Sequence, residues 1–299
     1  MMDKHLLPRV SDRISFLYIE DARLIKKDSQ IMIITKNGEY ILPYGTMLAI
    51  LLGPGTSITH DVFDLIGASG STINFVGKDC LHFYAYGHPL NSSSQLIYQQ
   101  AKYATNKRLH LAVARKMYQE RFPDENFTGL SVAKMRGKEG ARMKQIYQMN
   151  ADKFGVAWHG RHYEPNEYEQ ADLINQLLTS ANQMLYAVCL AVINALGFSP
   201  ALGFIHVGLS QSFVYDLSDL YKAEITIPVA FATAKQDNPY KALKVNMRNK
   251  IQETGLIKQM VNDLFDLFNI EQADLVEVLY LWDNIKTLQK SNIQYKERR

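Results

Sequence analysis

Two cysteines in 299 residues, Cys80 and Cys189, lie far apart in apolar surroundings and leave no material for a disulfide framework or a cysteine-based zinc site. Both are read as buried, reduced thiols. The chain has no G-x-G-x-x-G and no Walker A motif, so dinucleotide binding and nucleotide hydrolysis are not expected. Long apolar runs are also missing: the most apolar stretch, residues 184–198, is interrupted by Asn194 and is shorter than the ~20 residues that span a bilayer. It reads as a buried core helix. The start, Met1-Met-Asp-Lys-His-Leu-Leu-Pro8, has no signal-peptide apolar region and no small-residue cleavage site, so a cytosolic location and no membrane partner are expected.

What is present is a composition able to build a sizeable core in one or two domains, 47% hydrophobic and 21% charged. The net charge of +3 says little about nucleic acid, but the cations are unevenly distributed. Lys and Arg gather at 107–116, 134–144, 161, 241–250 and 296–299, while acids concentrate between 262 and 277. Any one such cluster is usually a solvated helix face; several around one set of carboxylates would form a DNA track.

Up to about residue 88 the pattern is mainly that of strands, at 14–20, 30–35, 40–42, 48–52, 72–76 and 81–85, with one helix over 59–68. Residues 86–94 are rich in turn formers. Beyond them the period becomes helical, at about 94–121, 131–154, 169–196, 211–223, 240–267 and 271–289. The expected class is α+β: a small β-rich domain over 1–88, a linker over 89–94, a larger all-α catalytic domain over 95–290 and a basic tail over 291–299. A β-domain of this size, with several short strands, has little core of its own and exposed edges, so a homodimer through it is expected.

The chemistry-bearing residues lie in three separated stretches, Arg136-Gly-Lys-Glu139-Gly, Gly203-Phe-Ile-His206-Val-Gly and Phe213-Val-Tyr-Asp216-Leu-Ser-Asp219-Leu-Tyr-Lys222. Carboxylates with one imidazole suit a hard divalent ion, Mg²⁺ or Mn²⁺, of the kind that serves phosphate chemistry. Asp216 and Asp219 are three apart and share a face of any helix that starts near Ser212, with Lys222 one turn on. Gly137 and Gly140 flank Glu139 in a helical pattern, each at a cost of roughly 1 kcal/mol relative to alanine, so a close backbone approach is expected there, to DNA or to another helix. Singly, each piece has a bland reading as a surface charge pair or a satisfied buried histidine.

Taken together, in this order and spacing, the three stretches closely resemble the integrase subunit of the CRISPR adaptation machinery, in the form found in type I-E systems. Asp12-Arg-Ile-Ser-Phe, Leu52-Gly-Pro-Gly-Thr-Ser-Ile-Thr-His60, Arg115-Lys-Met-Tyr, Trp158-His-Gly-Arg-His-Tyr163 and Asp172-Leu-Ile-Asn-Gln extend the resemblance over roughly residues 8 to 250. It implies a prokaryotic, cytoplasmic, metal-dependent DNA integrase and endonuclease. Glu139, His206 and Asp219 would be the ligands of Mg²⁺ or Mn²⁺, with Asp216 as a further catalytic acid. It also implies that a small dimeric partner subunit joins two homodimers into a hetero-hexamer, acting on double-stranded DNA with 3′ overhangs and on CRISPR repeat DNA. Arg136, Lys138, Arg142, Arg161, Lys222, Lys244 and Arg248 are the candidate phosphate contacts, and Tyr163 matches an aromatic that reads the spacer-selecting motif.

The chain departs from the family pattern at three places. Asp21 stands where relatives carry an aromatic wedge, with Tyr18 as the nearest upstream aromatic. Leu209 replaces a frequent lysine, and the apolar Leu275-Val-Glu-Val-Leu-Tyr-Leu-Trp282-Asp replaces a proline-rich tail that docks the partner. Two other functions would use much of the same sequence: a hydrolytic endonuclease on branched or single-stranded DNA, and a non-catalytic DNA-binding scaffold. A scaffold has no need of all four of Glu139, His206, Asp216 and Asp219.

Overall fold

A computed structural model describes residues 13–88, 94–162 and 170–270. An N-terminal region of two sheets precedes a helical region, as the α+β reading expects. Strands β1 (Ile14–Ile19), β5 (Met47–Leu52), β7 (Thr72–Val76) and β8 (Phe83–Gly87) form one sheet in the order β1-β5-β7-β8, parallel except for β8. Strands β2 (Ala22–Lys27), β3 (Gln30–Thr35), β4 (Gly38–Leu42) and β6 (Ser57–Ile58) form the second, in the order β4-β3-β2-β6. Helix α1 (His60–Ser69) lies in the connection to β7 and ends at Gly70 with φ +74°.

β5 explains the layering. Every residue of Met-Leu-Ala-Ile-Leu-Leu is buried, as befits a central parallel strand covered on both faces. Met47, Ile50 and Leu52 join one apolar cluster with Leu24, Ile31, Val62 and Ile73, between the sheets and α1. Leu48, Ala49 and Leu51 enter the main core with Phe16, Val76 and the helices. Each fully buried Leu or Ile contributes ~1.5–3 kcal/mol against leaving it in water, so the first sheet is a shared wall.

The helical region comprises α2 (Gln95–Thr105), α3 (Lys107–Arg121), α4 (Val132–Phe154), α5 (Leu173–Leu196), α6 (Ser212–Asp219), α7 (Thr226–Thr233), α8 (Pro239–Glu253) and α9 (Leu256–Leu267). At its centre, α5 is capped by Asp172, whose side chain accepts from Asn175 N–H, and is closed by Gly197 at φ +81°. It lies within the helix expected over about 169–196 and contains most of the apolar run 184–198. By length and mean hydropathy (1.4) it is apolar enough to cross a membrane, but 78% of its apolar window is buried inside the protein. The expected helix over 94–121 is two helices meeting at Asn106, whose side chain caps α3 through Arg108 N–H and Leu109 N–H. That over 240–267 is likewise divided, at Gly255 with φ +61°. The expected helix over 271–289, the linker residues 89–93 and the basic tail lie outside the described residues.

Candidate active site

The site is assembled from the C-terminal turn of α3, the first half of α4, the loop before α6, and the end of α6. The loop is the least ordinary part. Asp216 is fully buried on α6 and accepts from the backbone N–H groups of Phe204 (2.5 Å), Ile205 (3.0 Å) and His206 (2.8 Å), as well as from His206 Nδ1 (2.8 Å). A single carboxylate thereby replaces the ladder that this irregular segment lacks. Arg136 Nη2 on α4 donates to Ile205 O (2.7 Å) and fixes the loop from the other side. At Gly203 a Cβ would stand 2.2 Å from His206 O and under 3 Å from two atoms of Ser212, so only glycine fits.

His206 is thus presented rather than buried, with 37% of its side chain exposed. Its Nδ1 faces Asp216, which leaves Nε2 as the available nitrogen. The bond to Asp216 raises its pKa, burial opposes this, and the nearby Asp219 adds to the rise.

Glu139 and Asp219 meet at Arg121. The Arg121 guanidinium, 4% exposed, bonds Glu139 Oε1 through Nη1, and the same nitrogen lies 3.6 Å from Asp219 Oδ2. Tyr118, one turn earlier on α3, donates to Glu139 Oε2 (2.9 Å); burial, then the charge of Glu139, pushes its hydroxyl pKa up and keeps it a donor. Lys222 Nζ sits 2.6 Å from Asp219 Oδ1 and donates to Tyr186 OH (2.8 Å). Burial alone would raise the Asp219 pKa, but Lys222 and then Arg121 outweigh it and hold the carboxylate below its ordinary range.

Glu139 and Asp219 meet at Arg121, and His206 lies near enough to Asp219 to feel its charge; carboxylate oxygens with a single imidazole nitrogen are donors of the kind that suits Mg²⁺ or Mn²⁺. As they stand, no three His, Cys, Asp or Glu side chains are grouped to hold a metal ion among the described residues. The chain's own cation, Arg121, lies between the two acids instead. Asp216, placed in sequence with the catalytic acids, has its oxygens occupied by the loop and orients His206.

The candidate DNA contacts divide sharply. Arg136 and Lys222 border the site, each already bonded within the chain. Lys138 and Arg142, on the outer face of α4, pair with Glu125 (2.8 Å) and Asp124 (3.8 Å). Arg161 is not at the site: it donates to Asn175 Oδ1 and Thr179 Oγ1 and fastens the 158–162 segment to α5. Lys244 bonds Asp79 (2.8 Å) with its ammonium 3.8 Å from the Tyr18 ring centroid, where the sheets meet α8. Arg248 lines a separate cavity of about 180 Å³ with Arg13, Ser15 and Gln252. Tyr163 lies outside the described residues. Asp21 forms a turn at φ 48°, donating from N–H to Pro54 O. A Cβ added at Gly137 or Gly140 would meet nothing within 4 Å, so no helix of the described chain makes the expected close approach.

Arg121 and Tyr118 do not stand out as site residues in the sequence. The available signal is the Arg115-Lys-Met-Tyr segment, which ends at Tyr118; Arg121 follows three residues later on the same face of α3.

The profile of a family described as CRISPR associated protein Cas1 matches residues 125–242, which span Glu139, His206, Asp216 and Asp219. The CRISPR-associated endonuclease Cas1 of Clostridium sp. (strain SY8519) is 40% identical over 295 residues, covering 97% of both chains. Among solved structures, a crystal structure of a TtCas1–DNA complex is similar with a TM-score of 0.78 at 36% identity, over 85% of this chain and 91% of that one. A casposase bound to integration product shares the fold at a TM-score of 0.68 and 13% identity, over 94% of this chain and 99% of that one. Identity of 40% along 97% of both chains means that the chain belongs to the CRISPR-associated Cas1 family.

Proposed function

We propose that this chain is a metal-dependent DNA integrase with endonuclease activity, which inserts spacer DNA into a CRISPR array. The observation that carries the reading is the meeting of Glu139 and Asp219 at Arg121, with His206 held by Asp216 within electrostatic reach of Asp219. Similar proteins carry the name CRISPR-associated endonuclease Cas1, a similar solved structure is a TtCas1–DNA complex, and the casposase bound to integration product shares the fold.

In this reading the 3′-oxygen of an incoming strand attacks a repeat phosphodiester. The new O3′–P bond forms as the P–O3′ bond of the target strand breaks. The proton of the attacking hydroxyl is lost to solvent and the departing 3′-oxygen gains one, so no nucleotide is consumed. Mg²⁺ or Mn²⁺ held by Glu139, His206 and Asp219 would lower the pKa of the attacking hydroxyl and offset charge at phosphorus. Asp216 occupies Nδ1 of His206 and so leaves Nε2 for the ion, and Lys222 keeps Asp219 ionised. Arg136 fixes the loop that carries His206.

DNA duplexes with 3′ overhangs and CRISPR repeat DNA are the substrates in this reading. The working assembly is a homodimer through the N-terminal strands, bridged by a small dimeric partner into a hetero-hexamer of the type I-E form. The test is strand transfer of a 3′-overhang duplex into a repeat-bearing plasmid, with Mn²⁺ or Mg²⁺ and the partner present. Joined product that disappears with chelator and with Glu139→Gln is expected; joining that survives both would overturn the metal-dependent reading.

A further inference from the structure

We infer that Arg121 is a built-in counter-cation of Glu139 and Asp219, which holds the pair closed to a divalent ion until a DNA phosphate arrives. The inference rests on the proposed metal reading and adds the order in which metal and DNA are taken up. Arg121 is almost wholly buried, at 4% side-chain exposure, and one of its terminal nitrogens faces both carboxylates. Its Nε is buried without a hydrogen-bond partner among the described residues. The guanidinium is therefore held by the two acids and not by a complete set of bonds of its own.

The charges balance locally. Glu139 and Asp219 contribute two negative charges, and Arg121 and Lys222 two positive ones. A divalent ion entering this neutral group meets two cations within a few ångströms, in a place where water screens poorly. It gains the carboxylates only by displacing Arg121 or by sharing them with it. A phosphodiester alters that balance, because its oxygens accept from the displaced guanidinium and offer a further anionic ligand to the ion. Metal and DNA should then bind cooperatively, each raising the affinity for the other by the same factor.

The test measures Mn²⁺ binding to the full-length chain, by calorimetry and by electron paramagnetic resonance of free Mn²⁺. In wild type, a short 3′-overhang duplex should tighten Mn²⁺ binding at least tenfold. Without DNA, Arg121→Gln should bind Mn²⁺ at least tenfold tighter than wild type, and Arg121→Lys, which keeps the charge, should stay within about threefold of wild type. A wild-type affinity indifferent to DNA overturns the inference even if Arg121→Gln does not fold. So does an Arg121→Gln protein that folds but binds no tighter while Glu139→Gln still abolishes binding; that result leaves the metal site intact. If Mn²⁺ binding in every variant is indifferent to Glu139→Gln, the metal reading itself fails, and the inference with it.

Discussion

Asp216 Oδ1 accepts from both the backbone N–H and the Nδ1 of His206, each at 2.8 Å. One buried carboxylate therefore shapes the loop, through Oδ2 at Phe204 and Ile205, and aims the ring through Oδ1. Asp216→Asn replaces an acceptor with an amide donor that faces N–H groups, so it should cost roughly 2–4 kcal/mol of stability. His206→Ala removes a partly exposed ring and should cost under about 1 kcal/mol. Urea unfolding of the two variants checks the contrast; equal losses would deny Asp216 its structural part.

Strand transfer should fall to background in Glu139→Gln and in His206→Ala, each loss nearly as severe as that of the double variant, because the groups act as a unit. Asp219→Asn should abolish transfer too, but for a second reason it is the less clean probe. It leaves Lys222 buried without its charge partner, which typically costs ~3–5 kcal/mol. Near-wild-type joining by folded Asp219→Asn in Mn²⁺ would remove that residue from the site.

Glu120, next to Arg121 on α3, gives a pH dependence. Burial first, then the charge of Asp263, pushes its pKa up to about 7 from the ordinary 4.5, with Lys116 opposing and Asp266 adding to the rise. An acid whose folded pKa exceeds its unfolded one binds its proton more tightly when folded, so stability falls as pH rises from about 4.5 through about 7. Much of the side chain meets solvent, which screens the repulsion, so Glu120→Gln should stabilise by only about 0.5–1 kcal/mol at pH 8 and little at pH 5. Thermal unfolding at the two pH values measures the difference; an equal gain at both would remove Glu120 from the account.

Gly137 and Gly140 lie on an open helix face, unlike Gly203. Gly137→Ala should stabilise the free protein by about 0.5–1 kcal/mol, since alanine is the better helix former and meets nothing. If that face receives DNA, the same change should weaken duplex binding. Calorimetric unfolding and a binding titration read the two effects; unchanged affinity would place the DNA on another surface.

Arg248 and Lys244 are one turn apart on α8, but only Arg248 is expected to contact phosphate. Arg248→Ala should reduce the slope of log K against log salt by about one unit. Lys244→Ala should leave the slope unchanged and lower stability by opening the pair with Asp79. A reduced slope for Lys244→Ala would mean that DNA displaces Asp79.

The residues of the candidate site are legible in sequence as three motifs, but their division of labour is not. Nothing in the Asp-x-x-Asp spacing distinguishes Asp216, held by three backbone N–H groups, from Asp219, held by side-chain cations, because that depends on a loop folding back over α6. Arg121 is hidden in a basic helix that reads as a solvated face. In the fold, β2 is hard to see because Arg23, Lys26 and Lys27 make it look like a polar connection, whereas it pairs with β3 through a turn at Asp28 and Ser29. Helix α7 is obscured because Pro228 breaks the pattern, although in the first turn of a helix proline forfeits no intrahelical bond.

The shared wall formed by β5 has a consequence for dissecting the protein. With Leu48, Ala49 and Leu51 in the same apolar body as α5, a fragment starting at residue 95 would expose the face of that helix which the strands cover. Out of context, the sequence Leu173–Leu196 meets the length and hydropathy of a bilayer-crossing segment. Such a fragment should partition into detergent or lipid, and membrane association seen with it would report the missing strands instead of a property of the intact chain.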